Sequence, residues 1–169
     1  MKGQSLIEAT IALGVITTGL VGALTLVSFS LRAATTSQNR LIALNLSWEG
    51  IEVAQNTRDS NYLEGVPFNT GLDGGGDQTA IIDFDANAGT WTFDFAPSAM
   101  ADNATQFYNQ GGVYRQSSAA IPGIATNFRR LIILDNATPD QVRVVSSVQW
   151  REGSATRQVS AERIFYDWR

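Results

Sequence analysis

The sequence predicts an α+β fold in which one long N-terminal helix packs on a C-terminal antiparallel β-sheet. Three observations predict it. From Ala9 to Leu31 run 23 consecutive residues without a charge, a stretch that as a helix spans roughly 34 Å, against a bilayer core of about 30 Å. All four prolines (Pro67, Pro97, Pro122, Pro139) follow residue 66, so no proline interrupts a helix before them. Beyond that point, runs rich in Val, Ile, Phe, Tyr and Trp alternate with clusters of Gly, Asn and Asp, the pattern of strands and turns.

Composition narrows the chemistry. The 169 residues carry 12 basic and 16 acidic side chains, a formal charge of −4, with no Cys and no His. Thiol nucleophiles, disulfide frameworks, Ser-His-Asp triads and the usual zinc sites are therefore absent, and general acid–base catalysis lacks its commonest residue. Nothing supplies a nucleophile, a base or a cofactor loop, so the chain reads as no enzyme. From Asn61 onward 8 Arg face 12 Asp and Glu, which argues against nucleic acid held by phosphate neutralisation.

The first element runs through the apolar stretch. Only Met1-Lys2-Gly3 precedes Gln4-Ser5-Leu6-Ile7-Glu8, and no small-residue cleavage site follows Leu31, so a conventional secretory signal fits poorly. A carboxylate in a membrane segment costs on the order of 2.5–3.5 kcal/mol at mid-bilayer. Glu8 therefore either sits at the interface in the first helical turn, favoured by the helix dipole, or has a partner. Gly14, Gly19 and Gly22 allow bending or close helix packing.

The string Gly3-Gln4-Ser5-Leu6-Ile7-Glu8 followed by this apolar run resembles the class III signal of type IV prepilins and pseudopilins. The resemblance implies a pilin-like fold and a leader of residues 1–3, removed by prepilin peptidase between Gly3 and Gln4. It implies that residues 4–31 are the transmembrane and filament-core helix. It further implies that Glu8 docks subunits by pairing with the new Gln4 amine of a neighbouring chain. A buried carboxylate without a partner is costly, so such a pair rewards one stagger and penalises others. The family usually starts its mature chain with Phe or Met. Gln4 departs from that, and its amine either is methylated or cyclises. The proline kink and C-terminal disulfide loop of many pilins are also missing.

The helix is expected to continue, from about Ser5 to about Asn56, with residues 32–60 as its amphipathic half. Leu41, Leu44, Trp48 and Ile51 recur at steps of 3, 4 and 3, which places them on one face towards the sheet, with Leu46 and Val53 off it. Gly50 weakens the helix by up to about 1 kcal/mol relative to Ala. Glu49-Gly50-Ile51-Glu52 followed by Arg58-Asp59-Ser60-Asn61 is similar to the helix end of some pilin-like proteins. Arg58 and Asp59 form either a solvated helix end or an ion pair that fastens helix to sheet.

Residues 61–169 are expected to form the globular β-rich domain. Gly71 to Asp77 is a Gly-rich loop without the Lys-Ser/Thr of a phosphate cradle. Thr79 to Asp85 and Thr90 to Phe95 flank a turn cluster and read as a hairpin. Asp83, Asp85 and Asn87 also stand at alternate positions that would serve calcium, although Ala88 and Asp94 occupy places where a calcium loop wants Gly and Glu. Calcium is thus the second reading there, with no other cofactor implied. Gln106 to Arg115 gives another hairpin about Gly111-Gly112. Asn127–Leu134, Gln141–Trp150 and Arg157–Tyr166 form a meander, and the adjacent Arg129 and Arg130 point to opposite faces. The closing pattern Val144-x-Ser146-x-Val148-x-Trp150, a turn, and a strand ending Tyr166-Asp167-Trp168-Arg169 is similar to minor pilins.

The function expected from this resemblance is a structural subunit, of minor or pilin-like type, in a type IV pilus or related filament. It would be held in the cytoplasmic membrane by one span, surrounded by lipid, then handled by prepilin peptidase and the inner-membrane assembly machinery. It would end in a homo- or hetero-oligomeric filament at the cell surface. The alternatives are a type II secretion pseudopilin, or a single-pass membrane protein with an external binding domain that never polymerises.

Overall fold

The computed structural model describes residues 2–73, 78–85, 89–95, 97–117 and 122–167, with side chains from residue 6 onward except at positions 137 and 138. One helix, α1 (Lys2–Glu64), precedes seven strands: β1 (Gln78–Asp85), β2 (Thr90–Asp94), β3 (Gln106–Gln110), β4 (Val113–Arg115), β5 (Ile124–Thr138), β6 (Gln141–Glu152) and β7 (Ala155–Tyr166). The strands join in one antiparallel sheet, so the α+β architecture holds. The chain divides into two compact units, Met1–Asn39 and Arg40–Arg169.

The helix is longer than the expected span of Ser5 to Asn56 at both ends. At its C-terminus the cause is visible. Gly65, at φ +74°, takes the left-handed conformation, Val66 N donates to Asn61 O at 3.1 Å, and Gly65 N to Tyr62 O at 3.3 Å. This paired bonding satisfies the last carbonyls, and Pro67 then forbids continuation. The buried Asn61 side chain closes the turn by donating to Phe68 O and Thr70 O at 2.9 and 2.8 Å.

In the second unit the helix packs on the sheet through Ala43, Leu46, Ser47, Gly50, Ile51, Val53 and Ala54, all buried. The expected stripe is thereby corrected: Leu41 is 62% and Trp48 53% exposed, whereas Leu46 and Val53 are each 5% exposed. The reason is distance. A Cβ on Gly50 would collide with Ser146 Oγ and stand 3.3 Å from Ile132 Cδ1. Small residues therefore face the sheet, and a helix this close has no room for Trp48. Positions 33–38 are exposed, and partial burial starts at Asn39.

Strand β5 is the spine of the sheet. Along one flank it pairs with β6 from Phe128 to Thr138, and β6 pairs with β7 over its whole length. Along its other flank Ile132–Leu134 meet β1, while Ile124–Arg129 meet β3. Between these two docking sites, Arg130 O accepts a hydrogen bond from the side chain of Gln116 at 2.9 Å. Both expected hairpins, β1–β2 and β3–β4, are present in antiparallel register. The turn residues 86–88 and loop residues 74–77 lie outside the described residues.

Candidate functional site

In the first unit, positions 3, 4 and 8 all lie within α1. Gln4 and Glu8 stand one helical turn apart. The Gly3–Gln4 bond lies inside the helix, and the Gln4 side chain is outside the described residues. Glu8 is exposed. The large apolar side chains from Leu6 to Leu31 are all more than half exposed, from 54% at Val27 to 72% at Phe29. This stretch is long and apolar enough to cross a membrane.

Its threonine hydroxyls are satisfied from within. The hydroxyls of Thr10, Thr17, Thr18 and Thr25 donate to the carbonyls of Ile7, Leu13, Gly14 and Val21 at 2.8–2.9 Å. Such back-bonding leaves no threonine donor in need of water. A Cβ at Gly14, Gly19 or Gly22 would meet nothing within 4 Å, so their smallness answers no contact inside the described chain.

In the second unit the core is divided. One apolar cluster holds Ile51, Ala54, Ile132, Leu134, Val142, Val144 and Phe165 among others, and a second holds Ala43, Leu46, Phe107, Phe128, Val148 and Trp150. Between them along α1, β5 and β6 stand Ser47, Gly50, Arg130 and Ser146. Ser47 Oγ donates to Ser146 O at 2.8 Å. Arg130, 1% exposed, donates to Leu46 O at 2.9 Å, Gln116 Oε1 at 3.0 Å and Glu49 Oε1 at 3.2 Å. Its guanidinium also lies 4.9 Å from the Phe107 ring centre. Burial lowers its pKa from the ordinary arginine value, and the Glu49 carboxylate opposes that shift. This arginine is thus a structural cross-link, out of reach of any phosphate.

Its neighbour Arg129 points the other way, as strand alternation requires. Arg129 Nη1 donates to Asp102 O at 2.8 Å, and to Ala101 O and Thr105 Oγ1 at 3.2 Å. The turn it grips is held by Asp102, whose carboxylate accepts from Ser98 N at 2.7 Å and Ala99 N at 2.9 Å. Those backbone donors, Ala99 first, hold its pKa below the usual carboxylate value. On the outer strands, the hydrogen bond from Arg143 lowers the Glu162 pKa.

The residues singled out for calcium are only partly brought together. Asp83 accepts from Ser117 Oγ at 2.6 Å, Asp85 is exposed at the end of β1, and Asn87 lies outside the described residues. Among the described residues no group of three acidic side chains could hold a metal ion. Arg58 and Asp59 do pair, with Nε to Oδ1 at 2.8 Å, yet they are neighbours within the helix. The fastening to the sheet comes from Arg58 lying 5.1 Å from the Phe165 ring centre on β7.

The Arg130 cross-link was missed by the expectations above, although its signal is present: it shares strand parity with Phe128, Ile132 and Leu134. The chain matches no protein-family model, no curated protein and no solved structure.

Proposed function

We propose that this chain is a structural subunit of a type IV pilus or related filament, cut after Gly3 by a prepilin peptidase and assembled through its N-terminal helix. The observation that carries the reading is the N-terminal order: Gly3, then Glu8, then 23 uncharged residues in an exposed helix whose threonine hydroxyls are all bonded internally. Lipid and a bundle of like helices make the same demand on such a segment, because neither offers water to a polar group. A subunit can then leave the bilayer for a filament without its threonines exchanging hydrogen bonds. In the filament, Glu8 supplies the one charge in the apolar core, and the Gln4 amine of a neighbour neutralises it.

The test is the N-terminal peptide of the protein in a sheared, cell-free surface fraction. The expected chain begins at Gln4, and Glu8→Ala leaves cleavage intact while removing the protein from that fraction. A full-length chain confined to membranes, indifferent to Glu8→Ala, overturns the proposal in favour of an anchored binding domain.

A further inference from the structure

Beside the β6–β7 turn, the outer face of the sheet carries a groove of about 490 Å³ whose lining includes Asn127, Arg129, Gln149, Arg151 and Thr156. These residues share one face. Arg129 opposes Gln149, and Arg151 opposes Thr156, while the alternate positions Phe128, Arg130, Val148 and Trp150 are buried. Arg129 and Arg151 are therefore diagonal neighbours, with Cα atoms about 7–8 Å apart. In an acidic domain, neither has an ion-pair partner among the described residues.

Arg129 is also pre-positioned. Its three bonds to the 101–105 turn all leave from Nη1. The Nε–Nη2 edge, which can grip a carboxylate with two parallel bonds, makes no hydrogen bond among the described residues. The two amides are fixed in the complementary sense. Asn127 donates an amide hydrogen to Arg151 O at 3.1 Å, and Gln149 donates one to Gln158 Oε1 at 2.8 Å, so each keeps its side-chain oxygen as an acceptor.

We propose that this groove binds a carboxylate-bearing oligosaccharide, a polyuronate chain. Arg129 and Arg151 hold its carboxylates, and the oxygens of Asn127 and Gln149 accept its hydroxyl protons. Inorganic phosphate is too compact to reach both arginines and both amide oxygens across Cα atoms about 7–8 Å apart. An acidic peptide carries its carboxylates on flexible side chains and offers main-chain N–H groups, not ring hydroxyls, to those acceptors. Single-stranded nucleic acid needs exposed rings on which bases stack, and Trp150 is 4% exposed. The proposal concerns the second unit alone and holds whether or not the chain polymerises.

The experiment titrates the full chain, in lipid nanodiscs, with trigalacturonate, with its methyl ester, which keeps the ring hydroxyls but carries no charge, with triglutamate and with inorganic phosphate. Trigalacturonate is expected to bind, its ester at least about tenfold more weakly for want of the charge-assisted hydrogen bonds, and triglutamate and phosphate about tenfold more weakly for want of hydroxyls that reach both amide oxygens. Because Arg129 also holds a turn, Arg151→Gln carries the mutational test, and it should weaken trigalacturonate binding about tenfold. Absent binding, equal binding of the ester, of triglutamate or of phosphate, or an unchanged Arg151→Gln variant each overturns the proposal.

Discussion

Arg130 occupies the point where a charge is least expected, between two apolar clusters and 1% exposed. Removing its charge from water is costly. The cost is offset by donors that reach three places: the helix backbone at Leu46, the helix side chain Glu49 and the Gln116 side chain. The guanidinium thus ties helix, strand and loop together in one arrangement. Arg130→Met keeps the length but leaves Gln116 Oε1 without its donor. We expect it to lose about 2 kcal/mol in chemical denaturation, whereas Glu49→Gln, on a side chain 37% exposed, should lose less than about 1 kcal/mol. A variant Arg130→Met as stable as the parent would mean that the cross-link fixes geometry without adding stability. Sequence parity alone put Arg130 in the inward row with Phe128, Ile132 and Leu134. What parity does not carry is the identity of the partners, because Leu46 and Gln116 lie far away along the chain.

At the scale of elements, the helix shows how size misleads a periodicity reading. The apolar residues Leu41, Leu44, Trp48 and Ile51 suggested a face, of which Ile51 is buried, but the row closest to the sheet runs through Ala43, Ser47, Gly50 and Ala54 at steps of 4, 3 and 4. The sheet comes so close that small side chains line this row, with Leu46, Ile51 and Val53 buried beside it. Gly50→Ala tests this directly. On helix propensity the change gains up to about 1 kcal/mol, but forcing a methyl against Ser146 and Ile132 should cost about 1–3 kcal/mol. We expect a net loss of stability, and a lower melting temperature checks it. A gain would mean that the seam yields easily. The helix end was legible in the letters Gly65-Val66-Pro67, a glycine stop followed by proline. The expectation ended the helix early because it weighted Asn56 and the polar run Arg58 to Asn61, although Asn61 serves as the buried closure of the terminus.

For the whole molecule, sequence patterns indicated the α+β class, the apolar first segment and each strand, since all of these are written in local periodicity. The docking of two separate hairpins on the same flank of β5 was not legible, because a strand's partner many residues away leaves no local trace. That topology has a kinetic consequence. The β1–β2 hairpin holds β5 only at Ile132–Leu134, and the β3–β4 hairpin only at Ile124–Arg129, with the Gln116 side chain bridging the gap. Among the described residues no strand of one hairpin pairs with a strand of the other, and Ser117 Oγ, just beyond β4, donates to Asp83 on β1, a side-chain bond that either opening breaks. Each can lift away while the β5–β6–β7 meander stays closed, so native-state amide exchange should resolve two independent openings below the global one. The β5 amides that face β6 should be the last to exchange, and Gln116→Ala should speed the β3–β4 opening while leaving that slowest class unchanged. A single cooperative exchange step across all seven strands would show instead that the hairpins and the spine open together.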